Sequence, residues 1–155
     1  MLIEDSLSKT NKKNVQDTIE YFIEIDQSNR KNNHVNFKQD SIVQEQFLNY
    51  LQTVGLPNIQ QYGDFFLLIN LHVINKNIFN KFESFFIEQL KKGNIYPYHY
   101  SSMVDRFLLE NNEETMYNSY LYSNISSKKL EREIKKNRKS IGLSLYFKGS
   151  CIAPL

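Results

Sequence analysis

The chain has 155 residues, of which 41% are apolar and 14% aromatic, including 11 Phe and 10 Tyr. That is enough for an aromatic-rich core without disulfide or metal staples. Charged residues make up 23% and the net charge is +2, so no global charge draws the chain to nucleic acid or acidic membranes. Cys151 is the single cysteine, which excludes an intrachain disulfide framework. The opening residues hold no apolar stretch of signal-peptide type, and the longest apolar run covers only residues 65–69. A bilayer span needs about 20 apolar residues, so no membrane segment is expected and a cytoplasmic protein is the default.

Residues 1–13 read as a mobile polar arm, residues 14–145 as one helical domain, and residues 146–155 as a tail. A first helix is predicted over about 14–32, with Val15, Ile19 and Phe22 on one face. Asp26 and Arg30 continue that face, where charge is costly unless paired. A second helix starts at Ser41, where Ser41 and Gln44 fit a capping box, and stops at Gly55 before Pro57. Phe47, Leu48, Leu51 and Val54 supply its inner face.

Asp64 suits the cap of a third helix over 65–74, oily on nearly all sides and therefore central; a buried strand is the competing reading. A fourth helix over 77–92 turns Ile78, Phe82, Phe85, Phe86 and Leu90 inward and ends at Gly93. Pro97 opens a fifth, with Tyr100, Met103, Val104, Phe107 and Leu108 inward, broken by Asn111 and Asn112. Residues 116–122 read as a short extended piece. Ser126 or Ser127 starts a last helix that reaches Ser140, with Gly142 beyond. The expected fold is all-α: five to six helices packed as a compact single domain around a central apolar helix.

The order Asp26-Gln27-x-x-Arg30, Gly55-Leu56-Pro57, Gly63, His72, Asp105-Arg106 and Tyr117 resembles a bacterial family of unknown function, the domain family numbered 6624. Its pattern reads Asp-Gln-x-x-Arg, Gly-Trp-Pro, a Gly opening an apolar helix that carries a His, Asp-Arg, then Tyr-Gly-Thr-Gln. The likeness spans residues 19–145 and includes 138–143. Leu56 replaces the aromatic, and Asn118, Ser119 and Tyr120 stand in place of Gly-Thr-Gln, so the chain departs from the family pattern at that turn. The resemblance implies a fold and a polar cluster but no reaction.

Asp26, Arg30, His72, Asp105 and Arg106 would converge in one cleft if their helices pack together. As chemistry, Asp26, His72 and Asp105 are the acid/base candidates, and Gln27, Arg30, Arg106 and Tyr117 the ligand-binding ones. The plainer reading is a neutralised internal network that fixes helix register. No metal is expected, because no His-x-x-x-His or Cys/His cluster stands at ligand spacing, and no phosphate loop or dinucleotide fingerprint implies a cofactor. Cys151 has no neighbouring His or Lys to activate it.

The last helix carries Lys128, Lys129, Arg132, Lys135, Lys136, Arg138 and Lys139, which read first as a solvated outer face and second as a surface for phosphates or an acidic partner. Nucleic acid is not an expected partner, because the aromatics precede this run and do not interleave with it. Tyr96, Tyr98, Tyr100, Tyr117, Tyr120 and Tyr122 bracket the fifth helix as an interface-type rim. Two functions follow as expectations. The first is a non-catalytic module that binds another protein, in the manner of an inhibitor or immunity protein. The second is a small hydrolase-like or anion-binding enzyme built on the Asp/His/Arg cluster.

Overall fold

The computed structural model describes residues 15–28, 30, 36–56, 72–121 and 125–145. Among the described residues the regular structure is all helical: α1 (Val15–Ser28), α2 (Phe37–Val54), α3 (Lys76–Lys91), α4 (Pro97–Glu110) and α5 (Lys128–Ser140). The chain divides into two compact units, Met1–Ile78 and Phe79–Leu155. No helix among the described residues is long and apolar enough to cross a membrane.

The polar arm, the cap at Asp64, Gly63, Tyr122, Cys151 and the tail lie outside the described residues. So does residues 65–71 of the central apolar helix. Its expected last turn is not helical, however: His72 sits in a turn and residues 73–75 are irregular. Asn75 explains the break, since its side chain accepts the N–H groups of Asn77 (3.0 Å) and Ile78 (3.3 Å) and so starts α3.

In the first unit, α2 begins five residues earlier than the Ser41 cap predicts. Asn36 is the true cap: its Oδ1 accepts from the Gln39 N–H at 3.1 Å, and Ser41 lies inside the helix. The earlier start brings Asp40 into the first turn, and it is buried. Phe22 of α1 packs edge-on against Phe47 (centroids 5.3 Å) and at a tilt against Tyr50 (5.9 Å) of α2, where Leu48 and Leu51 are also buried. Val54 is 49% exposed, because the last turn of α2 runs past this contact to the Gly55 cap.

In the second unit, Phe79 of α3 stacks on Phe107 of α4 with centroids 3.7 Å apart. Phe82, Phe86, Met103, Val104 and Ile134 are buried with them. α3, α4 and α5 end alike: Asn94, Glu113 and Leu143 donate back to Gln89, Leu108 and Arg138 carbonyls at 2.8–2.9 Å. The residue before each adopts positive φ, with Gly93 at 75°, Asn112 at 58° and Gly142 at 78°. Residues 116–121 form bends and no extended strand, because the N–H groups of Met116, Tyr117 and Ser119 turn inward onto a carboxylate of α4.

Candidate functional site

Two polar networks occupy the two units. In the first, Asp26 is 1% exposed near the end of α1. His72 lies with Nδ1 2.7 Å from Asp26 Oδ2, and Gln27 Nε2 donates to the same oxygen at 2.9 Å. Arg30 Nη2 reaches Asp26 Oδ1 at 3.4 Å and also bonds Asp40 Oδ2. Gln44 of α2 donates to the His72 carbonyl at 3.1 Å. One guanidinium therefore joins a carboxylate of α1 to one of α2, and the imidazole ties in the turn before α3.

Burial raises the Asp26 pKa, but the His72 hydrogen bond and the charges of His72 and Arg30 outweigh it and hold the carboxyl below its ordinary value. Asp26 is thus an anion held among donors. With Nδ1 of His72 facing Asp26, Nε2 is the remaining ring nitrogen, which is the arrangement of a general-base dyad. The charge of Arg30 is shared between two carboxylates of the chain itself, which weakens it as a clamp for an external anion.

In the second unit, Asp105 has no solvent exposure. Its Oδ1 accepts the N–H groups of Met116 and Tyr117, both at 2.8 Å, and its Oδ2 that of Ser119 at 2.5 Å. Burial pushes its carboxyl up, against the opposing pull of those N–H groups and of the Thr115 hydroxyl. Arg138 of α5 binds the same loop: Nη1 donates to the Tyr117 carbonyl (2.7 Å) and the Ser119 hydroxyl (3.2 Å), and Nε to the Ser144 carbonyl (2.5 Å). Asn118 adopts positive φ at 50°, with its N–H on Thr115 Oγ1 at 2.9 Å. Every oxygen of this aspartate is taken up by the loop it shapes.

The sequence candidates therefore fall into three places. Asp26, Gln27, Arg30 and His72 come together in the first unit. Asp105 and Tyr117 belong to the loop network of the second unit, where the Tyr117 ring meets Tyr100 edge-on at 6.1 Å. Arg106 lies 5.3 Å from the Tyr120 ring centroid, with Nε 3.7 Å from Glu110. Asp40 and Arg138 are the participants that sequence reading missed. Arg138 is 7% exposed and is not part of a solvated face. It follows Leu130 and Ile134 at four-residue steps, a seam that marks it as inward.

Compared with family models, curated proteins and solved structures, the chain matches none.

Proposed function

We propose that this protein is a non-catalytic module that binds another protein, as an inhibitor- or immunity-type binder does. The observation that carries this reading is the exposed aromatic pair at the start of α4. Tyr96 is 58% and Tyr98 is 55% exposed, and Pro97 between them fixes the first turn of the helix. His99 lies against both rings, with centroids 5.8 and 6.0 Å away. Tyrosine on a rigid segment presents a large amphipathic surface at low entropic cost, which is how interface anchors work. The charged candidates support the reading in a second way, since they are engaged with the chain's own groups.

Photo-crosslinking tests it: p-benzoylphenylalanine replaces Tyr98, and the protein is irradiated in its producing cell. The expected result is one adduct of defined mass that Tyr96→Ser depletes. No discrete adduct from position 98, with the protein folded, overturns the reading.

The contact of His72 with Asp26 favours one further reading, a hydrolase-like or anion-binding enzyme with His72 Nε2 as base. A screen of phosphorylated and carboxylated small molecules tests that reading. It requires a saturable thermal shift that His72→Ala removes, and a flat response to every compound rejects it.

A further inference from the structure

The basic charge of this chain is gathered on one helix. α5 holds seven of the 19 Lys and Arg residues with only two of the 17 Asp and Glu residues, while the other 142 positions carry 12 basic against 15 acidic side chains. Arg138 turns inward, and the rest do not. Lys128, Arg132, Lys136 and Lys139 are exposed, with Lys135 half-exposed beside them. These positions recur at i, i+4, i+7/8 and i+11, so they form one stripe opposite the seam of half-buried Leu130 with buried Ile134 and Arg138. Twelve helical residues extend about 16 Å, and successive cations stand about 6 Å apart.

Glu131 and Glu133 flank the stripe. Glu131 holds Lys135 at 2.7 Å and Glu133 meets Lys129 at 4.0 Å. Lys128, Lys136 and Lys139 make no such ion pair among the described residues.

We propose that this outward face of α5 docks an acidic segment of a protein partner, which rests on the reading of the chain as an interaction module. The chemistry selects a narrow anion. A carboxylate-bearing helix has side chains at the same one-turn spacing and fits between the two flanking glutamates. A nucleic acid duplex, with one charge per about 1.7 Å, is broad enough to meet both glutamates, and α5 offers no aromatic side chain for stacking on bases. A lipid surface would find no apolar side chain on the stripe to insert, since Leu130 and Ile134 lie on the opposite side. Lysine point charges suit steering and loose docking better than bidentate recognition.

The test measures binding of three labelled probes to the full chain at low salt: poly-L-glutamate, a single-stranded oligothymidylate of matched charge, and phosphatidylserine vesicles. Poly-L-glutamate is expected to bind most tightly and to weaken about tenfold or more at physiological salt. The combined variant Lys128→Gln, Arg132→Gln, Lys136→Gln and Lys139→Gln should lose about tenfold or more of that affinity. The control Lys81→Gln with Lys91→Gln should keep it. If the fourfold variant unfolds, the pair Lys136→Gln and Lys139→Gln replaces it.

Tighter binding of the oligonucleotide or of the vesicles overturns the proposal in favour of that partner class. Lack of binding to all three overturns it in favour of a solvated face. The adduct from position 98 is read separately: if it forms while the probes fail, the docking face is wrong and the interaction reading stands. If neither is seen, both fall.

Discussion

Asp105 and Arg138 grip the same residue by its two backbone groups: the carboxylate takes the Tyr117 N–H at 2.8 Å, and the guanidinium gives to the Tyr117 carbonyl at 2.7 Å. A buried acid and a buried base thus stabilise one loop without touching through a direct ion pair. The carboxylate is held by N–H groups of that loop, and the guanidinium donates to its Tyr117 carbonyl and Ser119 hydroxyl. The arrangement explains why 116–121 is neither helix nor strand.

That grip predicts a cost for isosteric replacement. In Asp105→Asn the new amide places a donor where a carboxylate oxygen accepts an N–H. Stability should fall by about 3 kcal/mol in urea unfolding followed by circular dichroism. A fall below about 0.5 kcal/mol would show that the loop does not depend on the charge.

Two adjacent basic residues should behave oppositely. Arg138→Lys keeps the charge but loses the fork that serves three acceptors, and about 2 kcal/mol of stability should go with it. Lys139→Ala, on the exposed side, should change stability by less than about 0.5 kcal/mol. Equal effects would contradict the inward placement of position 138.

The first unit should show its network through pH. The Asp26 carboxyl is held below its ordinary value of 3.8, so the folded state binds its proton less readily than the unfolded chain does. Its contribution is therefore complete above 3.8 and is lost as pH falls below that value through the folded pKa. Asp26→Asn should cost about 2 kcal/mol near neutrality, and the gap from the unmutated protein should close in that acid window. Urea midpoints measured across pH give the difference directly, and a gap that widens on acidification contradicts the assigned partners.

Leu121 offers a gain. It is 71% exposed and holds φ at 38°, a left-handed conformation that an L side chain resists by about 1–2 kcal/mol. Asn tolerates that conformation, so Leu121→Asn should raise stability by about 0.5–1 kcal/mol. A lowered urea midpoint would show that Leu121 has packing worth more than its strain.

The helices were legible where strong punctuation agreed with periodicity. Pro97, Gly93, Gly142 and Ser127 mark ends that local chemistry fixes, and the phenylalanine spacing of α3 leaves one orientation. Two sites were harder. Asn36 and Gln39 form a cap signature of their own, but Ser41 with Gln44 offers a second one five residues on, which hid Asp40. Arg138 was obscured by six basic neighbours, because charge composition speaks louder than the four-residue seam that it completes. The Asp26–Arg30 pairing follows the four-residue spacing seen in the sequence, although Arg30 stands in a turn two residues past the end of α1 at Ser28. Whether distant segments supply partners is set by tertiary packing, which no local pattern encodes: Asp26 takes its imidazole partner, His72, from 46 residues further along the chain.

The central claim is that the Asp26–His72–Arg30–Asp40 network holds the first unit together and that binding of a partner lies elsewhere. The most direct measurement is the adduct yield from position 98 in His72→Ala, normalised to the folded fraction and set beside the melting temperature. The account predicts a lower melting temperature with an unchanged normalised yield. An unaltered melting temperature with the adduct lost would contradict it.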